Sequence, residues 1–289
     1  MILAIDIGNT TVTLGGVQTA AQMYSLEFTA RIDINYEWSA GQYETSIRQL
    51  LENENLSPSD FRGIIISSVV PPVLTPLQEC VRRLFGTEPL LVTSESDLGM
   101  TFSIPHPEKV GRDRLVDAAW AAAHYPLPVI TVDLGTATTF NVVDENRVFR
   151  GGVICPGLST GLRALGERCA QLPQVRLSSP KAAIGVNTES CMLSGSVLGT
   201  AVLLDGITQR IEEELGRPVT LVVTGGLAKY VIPLCRHPLI YDPELLLKGL
   251  ALLYQLNAPQ HERHYEPRSD GERRRPRPTG RRPYNNGSS

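Results

Sequence analysis

Lysine is scarce: the 289 residues contain only Lys109, Lys181, Lys229 and Lys248. There is no Gly-x-x-x-x-Gly-Lys-[Ser/Thr] and no Gly-x-Gly-x-x-Gly, so neither a P-loop nor a dinucleotide fingerprint is available to hold phosphate. Cysteines number five and no two form Cys-x-x-Cys, which excludes a disulfide framework and a cysteine zinc site. Asp6 interrupts the first apolar run, and no basic segment precedes it, so no signal peptide is expected. No stretch is expected to reach the roughly 18 to 20 apolar residues of a membrane span. A reducing, cytoplasmic setting follows as the simplest expectation.

Charge is nearly balanced, with 27 basic and 30 acidic residues and a net of −3, so nucleic-acid binding driven by bulk charge is not expected. The distribution is uneven. From His261 to Ser289 eight arginines and four acids give +4, leaving −7 for the rest. Arg273 to Pro278 cannot build a core, and residues 259–289 read as a disordered Arg/Pro-rich tail, with a weak RNA or acidic-surface contact as the other reading.

The remainder alternates strand and helix patterns. Apolar Met1–Ile7 and Pro128–Leu134 read as buried strands, each ending in Asp-x-Gly and each followed by two more strands. In the first half a helix over Trp38–Asn53, a strand over Gly63–Val70 stopped by Pro71-Pro72, a helix over Val73–Phe85 and a strand over Pro89–Thr93 follow. The second half adds helices at Leu158–Cys169 and Glu189–Leu215. A strand at Val219–Val223, a short helix, a strand at Leu239–Tyr241 and a helix at Pro243–Leu256 complete it. Asp6-Ile7-Gly8-Asn9-Thr10 matches Asp133-Leu134-Gly135-Thr136 about 127 residues later. A duplicated β-β-β-α-β-α unit facing itself across a cleft accounts for this, although Asp-x-Gly turns also recur by chance.

Three clusters can carry chemistry. In Asp6-x-Gly8-Asn9-Thr10-Thr11-x-Thr13, Gly8 allows close backbone approach, and Asn9 and the threonines supply donors that can grip triphosphate oxygens without lysine. Asp6 can hold Mg²⁺. An ordinary hairpin is the other reading, but a second copy at Asp133–Thr139 favours a two-sided clamp. Next, Gly111-Arg112-Asp113-Arg114 enters an Ala-rich helix. Asp113 can accept a hydroxyl proton during phosphoryl transfer, and the arginines can bind a carboxylate or phosphoryl group. An Arg-Asp-Arg salt-bridge cap is the plainer alternative. Last, Thr224-Gly225-Gly226 at a strand end allows close packing against an adenosine or forms a simple turn.

With Gly151-Gly152-Val153-Ile154-Cys155-Pro156-Gly157-Leu158, these clusters in this order resemble the type III pantothenate kinases of the acetate/sugar kinase, heat-shock ATPase and actin superfamily. The resemblance covers about Met1 to Ala258. It implies an α/β fold of two ribonuclease-H-like (actin-like ATPase) domains, each a mixed five-stranded sheet with helices, at residues 1–114 and 115–258. It implies ATP-dependent phosphorylation of pantothenate, the first step toward coenzyme A, by a homodimer using Mg²⁺ with ATP and a monovalent cation, K⁺ or NH₄⁺. By motif, Asp6, Gly8, Asn9, Thr10, Thr11, Thr13 and Thr136 would hold ATP, and Asp6 its Mg²⁺. Asp113 would be the base. Gly111, Arg112, Asp113 and Arg114 would contact pantothenate, with Thr188 supplied by the partner subunit, and Asp133 would bind the monovalent cation. Three positions depart from the family pattern: Ile104 for a tyrosine, His106 for an asparagine, and Asn141 for an aspartate. The loss of charge at Asn141 bears on cation affinity. A non-catalytic transcription accessory factor and a kinase for another small acidic alcohol or sugar are the rival readings, and retention of all three carboxylates opposes the first.

Overall fold

The computed structural model describes residues 1–20 and 23–258, and the expected tail at 259–289 lies outside them. Strand β1 (Ile2–Ile7) is buried along its whole length, as its unbroken apolar run requires. Strands β2 (Thr11–Ala20) and β3 (Met23–Asp33) return antiparallel beside it. Helix α1 (Ala40–Asn53) leads to β4 (Gly63–Ser68), parallel to β1. Pro71-Pro72 stops that strand and also opens helix α2 (Pro71–Phe85), where a missing N–H costs nothing. Strand β5 (Leu90–Leu91) completes a sheet of order β3-β2-β1-β4-β5.

The second sheet contains β6 (Thr101–Phe102), β7 (Val129–Leu134), β8 (Ala137–Val143), β9 (Val148–Pro156), β10 (Thr220–Thr224) and β11 (Ile240–Tyr241). Its order, β11-β10-β7-β8-β9-β6, repeats the first sheet element for element apart from β6. The duplication expected from two Asp-x-Gly turns is thus present in three dimensions. The added strand makes six rather than five. Two residues carry no periodicity, so nothing in the local pattern announces it.

Helices α3 (Arg112–His124) and α8 (Leu245–Asn257) lie between the sheets. One side of α3, with Leu115, Val116 and Ala119, shares a core with Ile2, Ala4 and Ile65 of the first sheet. The other side, with Ala118, Trp120 and Ala121, packs on Val129, Val143 and Phe149 of the second. Alanine on both sides lets the helix sit close to each sheet. At its crossing with α8, a Cβ added to Gly249 would come within 2.7 Å of Val116, so only glycine fits. Helix α8 follows the second sheet in sequence yet contributes Leu250 and Leu253 to the core under the first.

Helix α4 (Leu158–Arg168) precedes a continuous helical run made of α5 (Thr188–Leu193), a π-helical stretch (Ser194–Leu198) and α6 (Gly199–Leu215). By length and composition alone, part of Thr188–Leu215 is apolar enough to match a membrane span, a property that core helices share. Its apolar content has another use in the fold: Val197, Ala201 and Leu204 are buried in the core of the second sheet. A short α7 (Ala228–Val231) follows β10.

Candidate active site

Cross-strand register builds one polar row in each sheet. In the first, Ser67 pairs with Asp6, Asp6 with Thr13, and Thr13 with Arg31. In the second, Thr224 pairs with Asp133, Asp133 with Thr139, and Thr139 with Ile154. Directly opposite residues share a face. Ile2 and Ala4 face α3 and α8, and period-two alternation puts Asp6 on that same face. Asp133 shares the α3 side of its sheet with Val129 by the same rule.

The hairpins beyond these rows are alike. Gly8 N–H donates to Thr11 O at 3.0 Å, and Gly135 N–H donates to Ala137 O at 3.1 Å. Asn9 and Thr10 are exposed at the first tip, with Gly8, Thr11 and Thr13 partly so. Thr136 is exposed at the second, its carbonyl accepting from Thr160 Oγ1 of α4 at 2.8 Å. Of the predicted ATP-binding residues, Asn9, Thr10 and Thr136 are thus exposed at the two tips, whereas Asp6 is buried.

Between the rows stands the N-terminal turn of α3. Asp113 Oδ1 accepts from Arg114 N–H at 2.8 Å. A Cβ on Gly111 would approach that oxygen to 2.5 Å, so Gly111 makes room for the folded-back carboxylate. The salt-bridge cap is not formed: among the described residues neither flanking arginine pairs with Asp113. Arg112 Nη1 donates to the carbonyls of Glu108 and Val110 at 3.1 and 3.0 Å. Arg114 Nε donates to Asn141 Oδ1 at 2.6 Å and its Nη2 to Phe140 O at 3.3 Å. Asn141 Nδ2 donates in turn to Thr131 Oγ1 at 3.1 Å. Asn141 is thus committed to aiming Arg114.

The carboxylates repel one another in a largely desolvated site. Asp6 is 8% exposed, and burial lifts its pKa from 3.8 to about 7, with Asp113 and Asp133 adding to the rise and the Ser67 hydroxyl opposing it. Asp133 keeps some access to solvent at the cleft wall, yet burial and then the Asp113 charge lift it to about 7, while Arg31 pulls it down. Burial also raises Asp113, against the N–H and charge of Arg114. One turn along α3, Asp117 is 3% exposed, and burial together with the charges of Asp133, Asp113 and Asp6 holds its pKa well above the ordinary value. Asp117 Oδ1 has no hydrogen-bond partner among the described residues. A buried carboxylate oxygen left this way calls for a proton or a cation. Oxygen donors and crowded negative charge suit a hard cation, but among the described residues no three acidic side chains are grouped to hold one unaided, so nucleotide oxygens would have to complete its shell.

Other predicted positions fall into place around this centre. A Cβ on Gly225, at φ 98°, would lie 2.5 Å from Asp133 Oδ1, so that glycine is explained by the aspartate it packs against. Ile104, in place of tyrosine, packs in the core with Phe102, Val110 and Phe149. His106 Nδ1 pairs with Glu108 Oε1 at 3.1 Å on the surface. Thr188 is exposed at the start of α5 and is not part of the Asp113 turn. Sequence reasoning missed Asp117 and Arg31. The four-residue step from Asp113 to Asp117 places both on one face of α3, and was the available signal for the first. Only strand register reveals the second.

A sequence model described as type III pantothenate kinase matches residues 2–210. The chain is 38% identical over 264 residues to the type III pantothenate kinase of Bacillus cytotoxicus, covering 91% of this chain and 99% of that one. Among solved structures, it is similar to a conserved Campylobacter jejuni protein of the Baf family, described as a transcriptional activator, with a TM-score of 0.53 and 19% identity over 88% of this chain and 97% of that chain. An Arthrobacter inorganic polyphosphate/ATP-glucomannokinase aligns with a TM-score of 0.45 and 13% identity, over 87% of this chain and 96% of that chain. At 19% identity the likeness to the Campylobacter protein is one of fold.

Proposed function

Because the chain belongs to the type III pantothenate kinase family, and so phosphorylates pantothenate with ATP in coenzyme A biosynthesis, we propose roles for its cleft residues in that reaction. The observation that carries them is the position of Asp113, in the first turn of a helix wedged between two strand ends bearing Asp6 and Asp133.

Asn9, Thr10, Thr11 and Thr13 with the Gly8 backbone hold the phosphates of ATP on the first hairpin, and Thr136 holds them from the second. Gly111 to Arg114 receive pantothenate, the Arg114 guanidinium meeting its carboxylate. Asp113 takes the proton of the pantothenate hydroxyl as its oxygen bonds to the γ-phosphorus and the bond to the β-phosphate oxygen breaks. In the loose transition state of phosphoryl transfer the hydroxyl proton leaves late, so a carboxylate suffices as base. Its raised pKa brings its basicity nearer the operating pH.

Asp6 would hold Mg²⁺ and Asp133 a monovalent cation, K⁺ or NH₄⁺. Such cations supply charge neutralisation where the triphosphate meets the carboxylates. The unpaired Asp117 oxygen supports a cation there. A homodimer is the proposed assembly. Ile154, Ile184, Val186 and Val202 are apolar and 60% or more exposed, and a groove of about 710 Å³ runs between α4 and the α5–α6 helix. Thr188 is exposed on that region, where it can be offered to a partner's site. A cytoplasmic location is part of this reading.

Asp113→Asn tests the central role. The fold should be retained, and kcat should fall at least about 10²-fold, the usual cost of losing a positioned base. Near-normal turnover would remove Asp113 from that role.

A further inference from the structure

A triphosphate in this cleft needs positive charge, and the arginines of the α3 turn are partly committed elsewhere. The guanidiniums of Arg112 and Arg114 are tied to carbonyls and to Asn141. Lys229 lies over the Tyr230 ring and Lys248 pairs with Glu244. Neither hairpin contains a lysine.

Arg31 is placed differently. It ends the row Ser67–Asp6–Thr13–Arg31, on the face that carries Asp6. Its side chain is exposed, and no hydrogen bond or ion pair engages it among the described residues. Its Nη1 nevertheless comes within 3.8 Å of where a Cβ on Gly226 would stand, so the guanidinium reaches across from the first sheet to the Gly-Gly turn after β10 of the second. Its charge is felt at Asp133, where it favours the ionised carboxylate. In the duplicated second sheet the same row position is Ile154, so the cation belongs to the first copy alone.

We propose that Arg31 is a phosphate-binding residue of this kinase, a cleft-spanning guanidinium that does for the Asp6–Thr13 hairpin what a lysine does in a P-loop. The ligand is the polyphosphate of the nucleotide. A guanidinium can donate two parallel hydrogen bonds to phosphate oxygens, and one that is not already paired gives up little to do so. Standing beside Thr13 and reaching Gly226, it adds a charged donor to those of the hairpins. This inference rests on the reading that the first hairpin holds ATP.

The test separates the two. Binding of a non-hydrolysable ATP analogue with Mg²⁺ is measured for wild type, Arg31→Ala and Arg31→Lys, with adenosine as the phosphate-free control. Amide exchange of residues 6–13 in the wild type, with and without the analogue, reports on the hairpin. Arg31→Ala should bind the analogue about 10- to 100-fold more weakly, the usual effect of losing a charged hydrogen bond. Adenosine affinity and the thermal midpoint should stay unchanged, and lysine should restore part of the loss. In turnover the KM for ATP should rise while that for pantothenate does not. Slowed exchange at the hairpin with wild-type analogue affinity in Arg31→Ala overturns the role of Arg31 and leaves the hairpin reading standing. Unchanged hairpin exchange overturns both. Equal weakening of analogue and adenosine also overturns the proposal, since it marks a distorted site instead of a lost phosphate contact.

Discussion

Acid should stabilise the ligand-free enzyme, and Asp6 is the group through which to see it. Its carboxyl titrates at 3.8 when unperturbed and at about 7 in the fold, because it is buried beside Asp113 and Asp133. Below the unfolded value both states are protonated and the native state bears no penalty. Between the two values the unfolded chain has released a proton that the native state keeps, so each pH unit of rise costs the native state about 1.4 kcal/mol. Above the folded value both states are ionised and the cost stays constant. Going from about pH 5 to about pH 8 therefore removes about 2.5 kcal/mol through Asp6 alone. Urea denaturation across that range, in low salt without Mg²⁺, K⁺ or NH₄⁺, measures it. Asp6→Asn cannot titrate, and subtracting its profile from that of the wild type leaves Asp6 together with its coupling to the neighbouring carboxylates. The difference should be about 2.5 kcal/mol, in the direction of a wild type that loses more stability as pH rises. Mg²⁺ with ATP should flatten the wild-type slope, since a cation beside Asp6 favours its charged form. Parallel profiles for the two proteins would refute the claim that burial beside Asp113 and Asp133 holds Asp6 protonated.

Two further predictions concern the charges facing α3. Asn141→Asp should raise the KM for pantothenate several-fold without tightening the K⁺ response, because the new carboxylate would lie on Arg114 Nε and cancel charge meant for the substrate; steady-state kinetics at several K⁺ concentrations decide it, and unchanged KM with stronger K⁺ activation would restore the cation reading of this position. Activity should be low in Na⁺ and rise several-fold in K⁺ or NH₄⁺ at matched ionic strength, and Asp133→Ala should abolish the rise; equal rates in Na⁺ and K⁺ would leave the arginines as the counter-charges.

Much of this protein was legible locally. A buried strand ending in Asp-x-Gly is spelled out within a few residues by apolar runs and turn chemistry, so Asp6, Asp133 and the duplication could be read directly. The Gly-x-Asp-Arg turn declared a carboxylate at a helix start for the same reason. What the sequence could not carry were relations between residues far apart along the chain. The sequence shows at Asn141 only a lost charge, and the fold sets it against Arg114, 27 positions away. The four-residue step sets Asp117 on the face of Asp113, but its burial depends on α3 being covered on both sides, which no local pattern announces. Arg31 became a cleft residue only through register: strand pairing transmits the position of Asp6 through Thr13 to β3, and a slip of one residue would turn the guanidinium to the opposite face. Local pattern selects the elements and their turns, whereas the meeting of charges in the cleft is settled by which faces the packed sheets present to each other.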